Sequence, residues 1–124
     1  MYTPDEVRSL VTRYIDMMCN NDIDGIMELY AEGAVSEDPV GGPAHEGKDA
    51  IRAFYAAVTP ALHVELKGPV CVAANSCAFL LLARHNFEDH SSYLDATDVF
   101  TFNDEGKITH MQAFWNMADV REQP

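Results

Sequence analysis

In the stretch YLDATDVFTFN, the two-residue alternation of a β-strand puts Leu94, Ala96, Asp98, Phe100 and Phe102 on one face and Tyr93, Asp95, Thr97, Val99 and Thr101 on the other. Asp98 is the one ionisable group in the apolar row. With that row turned inward, an ionised Asp98 would lose its hydration without a cation to replace it, so its pKa is expected to rise and the group to stay protonated near neutral pH. A neutral carboxylic acid donates a hydrogen bond. The plainer alternatives are an outward-facing row, or an Asp98 that accepts backbone N–H groups at a strand end. Asp95, on the opposite face, is expected at the surface.

A second carboxylate, Asp38 in AVSEDPVGG, ends a short β-prone run and is followed directly by Pro39. The proline drives residue 38 to an extended backbone and so fixes the direction in which its side chain leaves the chain. By itself this is also how a turn begins. Tyr14, Tyr30 and Tyr55 each sit on the apolar stripe of a helical segment, where a buried phenol must find a partner for its hydroxyl. Three hydroxyls that converge would be more informative than any one.

Other chemistries lack their residues. His45, His63, His85, His90 and His110 form no H-E-x-x-H or similar metal spacing, and Cys19, Cys71 and Cys77 lack paired C-x-x-C spacing and read as reduced thiols. No G-x-S-x-G, Walker or Rossmann signature occurs. Neither a metal nor an organic cofactor is expected. Eight Lys and Arg against twenty Asp and Glu give a formal charge of −12, which repels phosphate backbones and anionic lipid. Nucleic acid and membranes are therefore not expected partners. No run approaches the ~18 to 20 apolar residues of a membrane span, and the first residues lack a basic region followed by an apolar run, so the protein is read as soluble and cytoplasmic.

The elements that must carry these groups can be read from the same pattern. The 124 residues, 48% apolar, suit one domain with one main core. Thr3, Pro4 and Glu6 form a capping-box start, and Val7, Leu10, Val11, Tyr14 and Met18 recur at helical spacing, predicting a helix over 4–20. Asp22 caps a second helix with Ile23, Ile26, Met27 and Tyr30 on its buried side, stopped at Gly33, and 34–38 reads as a brief strand. KDAIRAFYAAV is a third helix, ended at Thr59 and Pro60. From residue 61 the chain is β-rich, with turn signals between runs. Helices first and strands after is the order of an α+β fold: three N-terminal helices covering one face of a curved antiparallel β-sheet.

Taken together, RYIDMM around Tyr14, VSEDPVG around Asp38, AIRAFY ending at Tyr55, DVFTFNDEGKI from Asp98 and MQAFW ending at Trp115 resemble, in order and over essentially the whole chain, the bacterial ketosteroid isomerases. The resemblance implies the cone-shaped nuclear-transport-factor-two-like fold with an apolar pocket, and a homodimer formed through the outer face of the sheet. It assigns the general base to Asp38, the oxyanion-hole donors to Tyr14 and a protonated Asp98, and a supporting hydroxyl network to Tyr30 and Tyr55. The reaction it implies moves the C=C bond of a 3-oxo-Δ5-steroid, or a similar β,γ-unsaturated ketone, into conjugation without a cofactor. Trp115, Met111, Phe100 and Phe54 suit the lining of an apolar pocket for such a substrate, although ordinary core packing explains each of them singly. The fold alone does not select this reaction, because polyketide cyclases, dehydratases and epoxide hydrolases share it, and a binding-only or dimerisation module would use the same pocket without turnover.

Overall fold

Helix α1 (Pro4–Cys19) starts where the capping box places it. The Glu6 backbone N–H donates to the Thr3 hydroxyl at 3.2 Å, and the Thr3 N–H donates to the Glu6 carboxylate at 3.0 Å. Two otherwise orphaned N–H groups are satisfied in this way. Its stripe of Val7, Leu10, Val11, Tyr14, Ile15 and Met18 is buried. Each large apolar side chain so removed from water contributes roughly 1.5–3 kcal/mol before entropy is set against it. The computed structural model describes residues 2–123.

Helix α2 (Ile23–Leu29) is capped by Asp22, whose carboxylate accepts from the Gly25 N–H at 3.0 Å. It stops before the expected Gly33. Residues Tyr30–Glu37 form strand β1, so Tyr30 opens a strand instead of closing a helix. The AEG segment lies inside β1, where pairing with a later strand shifts register between Tyr30 and Val35. Sheet pairing has overridden a local stop signal. A short strand β2 (His45–Glu46) and helix α3 (Lys48–Val58) follow.

The rest of the chain is β3 (Leu62–Leu66), β4 (Cys71–Ala73), β5 (Ser76–Asn86), β6 (Ser91–Phe102), β7 (Ile108–Phe114), a 3-10 turn at Met117–Asp119 and β8 (Arg121–Gln123). The strands pair in the order β2-β1-β7-β6-β5-β3, with β4 on β5 and β8 on β6. The sheet is mixed where a purely antiparallel one is the sequence expectation, because β1 and β7 run parallel. No hairpin joins these two strands: α3 and the β3–β6 meander lie between them, a crossover long enough to bring β7 back in the same direction.

The helices cover one face of this open sheet, and the fold is α+β. Along β6, Ala96, Asp98, Phe100 and Phe102 are buried while the intervening residues are more accessible, the alternation expected from the sequence. The core joins the α1 stripe and Ile51 and Tyr55 of α3 to Phe79, Leu81, Phe100, Ile108 and Met111 of the sheet.

Candidate active site

Tyr14 from α1, Tyr55 from α3 and Tyr30 from the first position of β1 are each about 1% exposed, and their hydroxyls meet. Tyr14 Oη lies 2.8 Å from Tyr55 Oη, which lies 2.6 Å from Tyr30 Oη. Burial pushes all three phenols well above their ordinary pKa, so each keeps its proton. Three protons shared over two links leave one to spare. Tyr14 and Tyr55 line a cavity, whereas Tyr30 does not, so a spare proton on Tyr30 would be a buried donor without an acceptor. A chain running Tyr30 to Tyr55 to Tyr14 meets this condition, and Tyr14 then presents its O–H to the cavity.

Asp98 faces the same cavity from the inner side of β6 at 4% exposure. Burial, reinforced by the negative charge of Asp38, pushes its pKa well above the usual carboxylate range. Among the described residues no cation compensates. Burial of this kind favours the neutral form, and a neutral carboxylic acid has an O–H to donate.

Asp38 follows directly on β1 and lines the cavity too. The turn behind it is fastened to β7: the Val40 N–H donates to the Ala113 carbonyl at 2.9 Å, and the Gly42 N–H to the Pro39 carbonyl at 3.1 Å. Gly41 between them takes φ +94°, which a side chain would strain. Two residues beyond Ala113, the Trp115 indole N–H donates to Asp38 Oδ1 at 2.6 Å. Burial raises the pKa of Asp38, while this hydrogen bond and the ring of His45 act against the rise. The result is a partly desolvated carboxylate with one fixed donor, able both to take a proton and to return it.

The cavity that joins these groups holds about 560 Å3, within the range of small-molecule sites, and is walled mainly by apolar side chains such as Met18, Val64, Leu81 and Ala96. Among the described residues no group of three or more His, Cys, Asp or Glu side chains could hold a metal ion, and no helix is long and apolar enough to cross a membrane.

A family profile described as the SnoaL-like domain matches residues 11–111. The chain belongs to the SnoaL-like family. This SnoaL-like protein is 36% identical over 116 residues to the steroid Delta-isomerase of Nocardioides simplex, a match covering 93% of this chain and 94% of that protein. It is also similar to a solved structure of SalBIII, an epoxide hydrolase/cyclase-like enzyme of pyran ring formation in the polyether salinomycin, with a TM-score of 0.85, 33% identity, and coverage of 95% of this chain and 98% of that one. The family fold is the nuclear-transport-factor-two-like one.

Two of the four aromatic or sulfur residues expected on the pocket wall of this SnoaL-like protein are elsewhere. Phe54 and Trp115 line the cavity, but Phe100 and Met111 lie beneath its wall. Phe100 meets the Tyr14 ring edge-on with centroids 5.0 Å apart, and the Met111 sulfur accepts from the Ser36 hydroxyl at 3.8 Å. Both hold the tyrosine and β1 in place from behind, because the inner face of the sheet is sealed by helices over that part of its length. The bond from Trp115 to Asp38 is the site feature that sequence reasoning missed. Its signal was present, since an indole N–H drawn into an apolar wall needs an acceptor and a carboxylate was at hand.

Proposed function

We propose that the protein is an isomerase that moves the C=C bond of a 3-oxo-Δ5-steroid, or a similar β,γ-unsaturated ketone, into conjugation. The observation that supports this reading is the meeting of Tyr14, Asp38 and Asp98 on one apolar cavity, with burial raising the pKa of both acids; on this reading Asp38 is the base, and Tyr14 and a neutral Asp98 are the O–H donors. Asp38 takes the proton from the carbon between the ketone and the alkene, the electrons pass to the ketone oxygen as a dienolate, and the same carboxylate returns the proton to the far alkene carbon. Negative charge grows on an oxygen held by Tyr14 and Asp98, whose dipoles are already in place in a dry site. No proton is lost to water and no redox partner is needed. The 36% identity to a steroid Delta-isomerase supports the same reaction class.

The test is the ultraviolet absorbance of the conjugated enone formed from a 3-oxo-Δ5-steroid. Turnover by the wild-type protein that Asp38→Asn removes supports the reading; a rate no greater than the mutant's overturns it. The likeness to an epoxide hydrolase/cyclase-like enzyme favours a second reading in which Asp38 deprotonates a substrate hydroxyl and Asp98 protonates an epoxide oxygen as the ring closes. An epoxy alcohol offered to the same preparation separates the two. Tight binding of an apolar ketone with neither turnover would instead mark a binding-only relative.

A homodimer is part of the proposed assembly. On the outer face of the sheet, Leu80, Thr97 and Phe114 form one cross-strand row, and Leu80 and Phe114 are 43% and 48% exposed. Such a row suits burial against a second copy.

A further inference from the structure

The inner wall of the cavity has a second polar end. Along β6, Asp98, Ala96, Leu94 and Ser92 point inward, and their cross-strand partners on β5 are Phe79, Leu81, Ala83 and His85. The rungs therefore run from an acid, through two apolar pairs, to a histidine beside a serine. Leu81, Ala83, His85, Ser92, Leu94 and Ala96 all line the same cavity as Asp38 and Asp98. Six residues of strand put about 20 Å between the backbones of Asp98 and Ser92, less where the strand twists. After ~3 Å for a hydrogen bond at each end, at most about 14 Å remains, enough for a fused four-ring skeleton and too long for a one-ring ketone to bridge.

The chemistry of this far rung is set by the end of α3. Val58 is the last residue of that helix, so its carbonyl lacks an intrahelical partner, and His85 Nε2 lies 2.9 Å from it. A carbonyl can only accept. Nε2 must carry hydrogen, and in the uncharged ring Nδ1 is then a bare acceptor, with no hydrogen-bond partner among the described residues. The Ser92 hydroxyl adapts to either role, and Glu122, also on the wall at this end, adds a further acceptor. His90 completes the rim, with Nδ1 2.6 Å from the Asp89 carboxylate and its ring stacked on Phe87 at 4.8 Å. Acceptors outnumber donors here, and with a chain charge of −12 the opening disfavours anions.

We propose that His85, with Ser92, forms a distal subsite that accepts a hydrogen bond from a hydroxyl, so that the preferred ligand is a long apolar ketone bearing a hydroxyl at the end remote from the ketone. The inference rests on the isomerase reading for the orientation of the ketone towards Tyr14 and Asp98. A far-end ketone in the same place has no proton to give and leaves Nδ1 of His85 unmatched. A far-end carboxylate or sulfate meets Glu122.

The experiment uses two matched pairs of steroids, each differing only in a hydroxyl or a ketone at the far end. The first pair, already conjugated 4-ene-3-ketones, reports binding through quenching of Trp115, the single tryptophan. The wild-type protein is expected to bind the hydroxyl compound about three- to tenfold more tightly, the yield of one neutral hydrogen bond. His85→Leu is expected to bring the ratio to about one. Equal affinities in the wild type, a preference for the ketone, or no binding of either compound overturns the subsite; a ratio that survives in folded His85→Leu removes His85 from it. The second pair, the Δ5 isomers, reports turnover. A hydroxyl preference in binding without isomerisation defeats the isomerase reading and leaves the subsite standing, and isomerisation without preference does the reverse.

Discussion

Trp115 donates its indole N–H to the carboxylate of Asp38 across 2.6 Å, and it is the first group that acts against the rise in pKa that burial imposes on that aspartate. The base proposed for the isomerisation, which must release its proton again, is served by such a balance: burial raises its proton affinity, and one donor favours its ionised form. Trp115→Phe removes the donor and keeps an aromatic wall. The folded protein should then show Asp38 with a higher pKa, so the acid limb of the pH profile of kcat/KM should move to higher pH while the limiting rate at high pH falls less. An unmoved limb would mean that the indole only packs against the carboxylate.

The hydroxyl chain makes a separate prediction because its members differ in what they leave behind. Tyr14→Phe removes the O–H that faces the cavity and should lower kcat by about 10² to 10³, with little change in KM. Tyr30→Phe shortens the chain at its sealed end and should affect rate only modestly. Tyr55→Phe takes the partner from two buried hydroxyls at once and should destabilise the fold most, by about 1–3 kcal/mol in urea unfolding. A Tyr30→Phe protein less stable than Tyr55→Phe would contradict the central place of Tyr55 in the chain.

What the sequence shows of this arrangement depends on the range over which each determinant acts. The capping of α1 by Thr3 and Glu6, and the burial of Asp98 by alternation along β6, are set within a few residues and can be read locally. The position of Tyr30 cannot. Its segment has helical spacing on one side and a glycine stop on the other, and only pairing with β7, far along the chain, makes it a strand. The parallel β1–β7 pair is hidden for the same reason. Phe100 and Met111 have the right types and the right face for a pocket wall, but which part of an inner face is sealed depends on where helices end, and no periodicity reports that. His85 and Ser92 are legible only once β5 and β6 are in register.

Asp98 ties function to stability. Its folded pKa lies well above that of an exposed aspartic acid, so between the two values the unfolded chain has released the proton and the folded one has not. The folded state binds more protons, and stability must fall as pH rises through that window, by up to about 1.4 kcal/mol per unit. Below the unfolded pKa, near 3.9, the penalty is absent. Asp98→Asn has no such proton, so the difference in unfolding free energy between wild type and Asp98→Asn should shift steadily in favour of the variant from about pH 4 upward. A pH-independent difference would mean that Asp98 is ionised in the fold. In turnover, Asp98→Asn keeps a donor and should retain far more activity than Asp98→Leu; equal losses would count against the neutral-donor role.

The proposed dimer would couple the outer face of the sheet to the site. Phe114 is exposed on β7, in register through Thr97 with Leu80 on β5, and Ala113, its neighbour in sequence, lines the cavity and accepts the bond that fastens the turn behind Asp38. Packing a second copy on Phe114 would therefore stiffen the strand that positions Asp38 and Trp115. Phe114→Glu places a charge where an apolar contact is expected and should yield monomers by analytical ultracentrifugation at micromolar concentration, with loss of kcat greater than loss of thermal stability alone explains. A wild-type protein that is already monomeric under those conditions would remove this face from the mechanism.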